Sequence, residues 1–150
     1  MLTTVGIISL LAVAFMVGSL NVSERSRDTR RIKDIDTIKD ALELYYIDHG
    51  EYPPDNTGWE HLCGNNPHVL REYMDEIPCD PINFRPPPDQ NPITNPSSRW
   101  YQIDTSGINP NGTIDNGCTN GPCTIYCVRA RLDNDGSYEV FTPGYPNCPF

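Results

Sequence analysis

Cysteine and histidine are the residues of this 150-residue chain best suited to hold a metal, form a covalent cross-link or carry a proton. The six cysteines are Cys63, Cys79, Cys118, Cys123, Cys127 and Cys148, and all follow an apolar N-terminal stretch. Cys118, Cys123 and Cys127 are close enough in sequence to suggest a metal cluster. Structural zinc sites, however, favour shorter paired spacings such as C-x-x-C. An even cysteine count in a segment with little apolar material predicts disulfides and an oxidising compartment instead. All six are therefore disulfide candidates, and spacing does not choose their pairing. His49, His61 and His68 are isolated, with no H-E-x-x-H zinc motif and no C-x-x-C-H haem signature. No Ser–His–Asp or paired-carboxylate arrangement follows from spacing. The expectation is a protein that is not an enzyme, with no catalytic residue and no resident metal among these groups.

The elements that position these residues differ sharply between the two ends. Met1 to Ser23 contains no charged residue, and Val5 to Leu20 is almost wholly apolar. A membrane-crossing helix needs roughly 20 such residues. A cleaved signal peptide would begin with a basic segment and carry a shorter apolar run, so a retained helix is the expectation. From Ser23 the chain turns polar, and then Ile32, Ile35, Ile38, Leu42 and Tyr45 recur at spacings of three or four. That is the apolar face of an amphipathic helix. Gly50 sits where a helix ends, and Pro53-Pro54 forbids continuation. Nothing before His49 forces a break, so a single long helix is predicted.

All 15 prolines lie beyond residue 52, which excludes long regular elements there. Trp59–Leu62 and Pro67–Met74 are candidates for a short helix, and Arg85 to Pro92 reads as polyproline-like. Trp100–Asp104, Thr124–Leu132 and Ser137–Thr142 are strand candidates. The last two flank Asp133-Asn-Asp-Gly136, a hairpin signal. Asn111-Gly-Thr113 matches a glycosylation sequon in a Gly/Asn loop. The net charge of −9 hides a split: Arg25, Arg27, Arg30, Arg31 and Lys33 cluster after the apolar stretch, and the rest is acidic. An acidic head argues against nucleic acid as a partner. The basic cluster suits a membrane edge with anionic headgroups. Lys/Arg counting alone would put this flank on the cytoplasmic side. The cysteines put the head outside, and they carry more weight.

The run from Arg27 to Pro53 combines an R-D-x-R-R start, isoleucines on one face, A-L-E-L-Y-Y and an acid-x-Gly-x-Tyr-Pro exit. It resembles the post-membrane helix of type IV pilin-like proteins, above all the major pseudopilins of type II secretion systems and related bacterial type IV pilins. Ile77-Pro-Cys-Asp-Pro81 resembles the loop that follows in those proteins, and Tyr126 to Leu132 resembles their late strand. The likeness is specific over residues 25–53 and looser afterwards. The glutamate that the family places near its mature start has no counterpart, because residues 1–22 hold no Glu. Aligned on R-D-x-R-R, Met1 falls inside that start.

The resemblance implies an α+β pilin-like fold: a long N-terminal helix packed on a small antiparallel sheet, with a disulfide-rich, Pro-rich loop region. Residues 1–23 would form the membrane and filament-core half of the helix, 24–50 its amphipathic half, and 51–150 an extracytoplasmic head. It implies a structural subunit, a homo-oligomer in a helical filament, anchored in the inner membrane before assembly and then carried to the cell surface by pilus or secretion machinery. The alternative is a membrane-anchored minor pilin or adhesin-type binding module. Ile32, Ile35, Ile38, Leu42, Tyr45 and Tyr46 are expected to pack the helix onto the head. Arg25, Arg27, Arg30, Arg31 and Lys33 are the candidate assembly residues, bridging to acidic heads of neighbouring subunits. No cofactor is expected, apart from Ca²⁺ near Asp133 and Asp135, which the family's late acidic loop suggests; that turn lacks EF-hand spacing.

Overall fold

The computed structural model describes residues 2–54, 68–82, 101–116, 118, 121–133, 136–144 and 148, and the side chains of 2–5 and 8–21 lie outside this description. The helix candidate at 59–62 and the polyproline-like segment at 85–92 also fall outside it.

One helix, α1, runs unbroken over Leu2–His49. At 1.5 Å per residue it is about 70 Å long. It stops where the sequence places its stop. Gly50 takes φ +76°, the left-handed conformation that glycine adopts at low cost, and its N–H donates to the Tyr46 carbonyl at 2.8 Å. Among the described residues no helix is long and apolar enough to cross a membrane. Most of the apolar side chains behind the expected span, residues 1–23, lie outside the described ones.

The head is a four-stranded antiparallel sheet of order β2-β1-β3-β4, with β1 at Gln102–Ile108, β2 at Ile114–Asn116, β3 at Cys123–Arg131 and β4 at Ser137–Phe141. The predicted β3–β4 hairpin is present, with Val128 opposite Val140 and Ala130 opposite Tyr138. β1 starts two residues later than its predicted start and runs on to Ile108. β2 was not expected; it pairs with β1 across a tip at Asn109 to Thr113, where Gly112 takes φ +81°. The sequon residues Asn111 and Thr113 are exposed at this tip.

Residues 69–73 form turns rather than the expected short helix. So few residues give too few i→i+4 bonds to offset the cost of starting a helix. From there the chain runs back along α1, antiparallel to it. Tyr73 lies beside Tyr45 and His49, and Asp80 reaches Arg31. We call residues 68–82 the strap.

A single core joins these parts. Ile35, Ile38, Ala41 and Leu42 of α1 meet Leu70 and Ile77 of the strap and Ile103, Tyr126, Val128 and Ala130 of the sheet. Ile125 and Cys127, on the other face of β3, are also fully buried. Disulfides join Cys118 to Cys123 and Cys127 to Cys148, with Cα–Cα distances of 5.3 and 5.5 Å. Cys79 is disulfide-bonded as well. The architecture is the expected α+β pilin-like fold.

Candidate functional site

Two polar systems tie the helix to the head, and sequence reasoning placed neither. The first centres on Arg31. The sequence groups it with the basic cluster of residues 25–33, a collar after the apolar stretch, but its side chain is fully buried. Its position explains why. Arg31 lies four residues before Ile35, so it continues the buried stripe of Ile35, Ile38 and Leu42 by one turn.

Three carboxylates converge on the Arg31 guanidinium. Nε donates to Asp80 Oδ2 at 2.7 Å, Nη2 to Asp80 Oδ1 at 3.3 Å, and Nη1 to Asp28 Oδ1 at 2.7 Å. Asp133 Oδ2 lies 3.3 Å from Nη1. The same Asp133 oxygen accepts from Arg27 Nε at 2.6 Å. Asp28 Oδ1 also accepts from the Asp133 backbone N–H at 2.9 Å, and Asp80 Oδ1 from that of Ile82 at 2.9 Å. Burial opposes the charge on Arg31. The hydrogen bond and charge of Asp80, with the charge of Asp133, outweigh that and hold its pKa above the ordinary value.

The second system pairs head tyrosines with helix carboxylates. Tyr101 donates to Asp34 at 2.7 Å, Tyr138 to Asp36 at 3.0 Å, Tyr126 to Glu43 at 2.9 Å and Tyr73 to Asp48 at 2.9 Å. Tyr52 shares Glu43 at 3.4 Å. Each of these tyrosines is pushed above its ordinary pKa, first by burial and then by the carboxylate beside it, and Tyr73 reaches about 12. Asp34, Asp36 and Glu43 stand outside the apolar spacing of Ile32, Ile35, Ile38, Leu42 and Tyr45, which by periodicity alone predicts a wet face for them. They instead flank the buried stripe and act as acceptors for the head. The signal was present in composition, with 8 tyrosines against an acidic helix, but the pairing depended on the fold.

The remaining candidates separate. Ile35, Ile38 and Leu42 are fully buried, Ile32 and Tyr45 are half-buried, and Tyr46 is 38% exposed and tilted against the Tyr52 ring at 4.7 Å. In the collar, Arg25, Arg30 and Lys33 are exposed, whereas Arg27 and Arg31 bind the head of their own chain. Arg30 stays 61% exposed beside Asp34 at 3.7 Å.

His49 stacks on Tyr45 at 4.0 Å at the helix end. His68 is buried across the same cleft, a space of about 400 Å³ also lined by Tyr73, Arg71 and Glu72. Burial lowers the pKa of His68, and nearby Arg71 adds to that. His61 lies outside the described residues.

Calcium fits the described residues poorly. Asp133 already accepts from the Arg27 guanidinium and lies in an ion pair with that of Arg31, whereas a Ca²⁺ ligand must offer its oxygen to the ion. Among the described residues no group of three or more His, Cys, Asp or Glu is set to hold a metal. Asp135 lies outside them.

Comparison with known proteins agrees with the helix and strap. No curated protein and no solved structure matches the chain. A protein-family model does match, over residues 19–86, which carry the exposed collar, the buried Arg31 and Asp80. Its description is Type II secretion system (T2SS), protein G, and over those residues the chain is similar to that family.

Proposed function

We propose that this chain is a structural, non-catalytic subunit that polymerises through its N-terminal helix into a filament of the secretion-pseudopilus type. One observation carries this reading: α1 extends far beyond the described part of the head. The first described side-chain tie between helix and head is Arg27 to Asp133. The helix N-terminal to it spans about 37 Å at 1.5 Å per residue. Its described apolar side chains there, Ile7 and Val22, are 60% and 66% exposed.

A continuous apolar helix that the described part of the head leaves uncovered is buried by lipid or by other copies of itself. In lipid, small residues let such helices approach closely, and Gly6, Ser9, Ala12, Ala14, Gly18 and Ser19 supply them. Repeated head-to-tail contacts then build an open helical polymer. Before assembly the subunit sits in the inner membrane with its disulfide-bonded head outside the cytoplasm. The similarity to type II secretion system protein G supports the same assignment.

The test is electron microscopy of material sheared from cells that express the chain, with antibody against the head. Labelled filaments are expected. Detergent-extractable monomers with no filaments would overturn the reading.

A further inference from the structure

The acidic turn after β3 raises a question that the filament reading leaves untouched. The family resemblance suggests Ca²⁺ there, near Asp133, yet a guanidinium occupies the centre of this acidic junction. Three carboxylates from three parts of the chain meet there: Asp28 from α1, Asp80 from the strap and Asp133 from the turn after β3. All three lie within 2.7–3.3 Å of Arg31 nitrogens. Side-chain exposures are 0% for Arg31, 2% for Asp80 and 6% for Asp133.

Brought together out of water, three carboxylates would repel one another strongly unless a cation lay among them. Proteins commonly meet that need with a divalent ion held by several oxygens. Arginine suits the same place for different reasons. It stays charged when buried, and its planar fork reaches several acceptors at once. Here it binds Asp80 through two nitrogens and Asp28 through a third. Arg27 caps Asp133 from the rim at 2.6 Å.

We propose that Arg31 is a built-in cation that replaces a bound divalent metal, gathering Asp28, Asp80 and Asp133 so that the head locks onto the helix without calcium. The inference concerns the folding of one subunit and does not depend on polymerisation.

Two consequences can be measured on the 150-residue chain in detergent. The first is metal independence. The wild-type melting temperature, followed by near-UV circular dichroism, is expected to agree within about a degree between 1 mM EDTA and 1 mM CaCl₂. A rise of several degrees in calcium would overturn the proposal, because a ligand that binds only the folded state must raise its stability.

The second is substitution. Arg31→Gln removes the cation and leaves the three carboxylates. This variant is expected to melt well below wild type in EDTA and to recover part of the loss in CaCl₂. If it folds only when calcium is present, the proposal is upheld. If it is equally impaired, or unfolded, in both solutions, Arg31 is not standing in a cation's place and the proposal fails.

Discussion

Arg31 and Arg30 are neighbours in sequence with opposite fates, and the difference sets their contributions. Arg30 forms a loose, exposed pair with Asp34, a kind of contact that contributes about 0–1 kcal/mol. Arg31 is sealed in, and removing one partner of a buried ion pair costs about 3–5 kcal/mol because the other charge is left bare. Urea unfolding should therefore show Arg31→Met destabilised by about that amount and Arg30→Met nearly unchanged. The tyrosine–carboxylate pairs make a separate prediction. Tyr126 is fully buried, and Tyr126→Phe should cost about 1.5–3 kcal/mol, the range for hydrogen bonds to charged groups. Because these tyrosines have raised pKa values in the folded state, the folded chain holds its phenol protons longer than the unfolded one. Their contribution is complete below the ordinary tyrosine value near 10 and is lost as pH climbs above it. Melting temperature should hold steady up to about that pH and then fall, while absorbance at 295 nm shows the phenols ionising only as the chain unfolds. Arg31 could have been placed by its spacing, four residues before Ile35. Its partners could not, since Asp80 lies 49 residues away, and Tyr138 lies 102 residues from Asp36.

At the scale of elements, legibility followed the length of the pattern. The long helix, its glycine stop and the β3–β4 hairpin each rest on a sustained period or a turn motif. β2 is only three residues, too short to show alternation, and the strap carries a helix-like pattern that its length cannot sustain. The cysteine count indicated disulfides without their pairing, which depends on which strands lie side by side. One glycine records such an approach. At Gly107, where the β1–β3 register shifts, an added Cβ would meet the Pro122 carbonyl oxygen at 2.6 Å. Gly107→Ala must displace backbone, and thermal unfolding should show a loss of about 1–3 kcal/mol, the usual range for overpacking. The two described disulfides should also differ. Cys127–Cys148 closes a sequence separation of 21 and Cys118–Cys123 one of 5. On loop-closure entropy the longer loop contributes about 3 kcal/mol, so replacing Cys127 and Cys148 with Ala should lower stability more than replacing Cys118 and Cys123.

For the whole molecule, the division within the basic cluster decides how assembly can be probed. Changing all of its arginines together would mix two effects, because Arg27 and Arg31 hold their own head in place. Arg25, Arg30 and Lys33 remain exposed and so are the members of the cluster open to a neighbouring copy in the proposed filament. Replacing these three with Gln should reduce the number or length of filaments in micrographs while the head melts at the wild-type temperature. Unchanged filament yield would remove them from the assembly contact. The acidic balance of the chain made nucleic acid an unattractive partner from the start. What composition could not show is that much of this acidity is turned inward, with Asp28, Asp34, Asp36, Glu43, Asp80 and Asp133 all engaged within the subunit.

The distribution of these ties along α1 has a mechanical consequence. They begin at Arg27 and Arg31 and continue through Asp34, Asp36 and Glu43 to Asp48, nearly the full length of helix that the head covers. Each links a side chain of the helix to the strap, to the sheet, to Tyr101 just before β1 or to the turn after β3. Tension applied through the N-terminal half of the helix is therefore shared among anchor points spread over about twenty residues, roughly 30 Å of helix. The buried Arg31–Asp80 ion pair stands near the end where the force arrives.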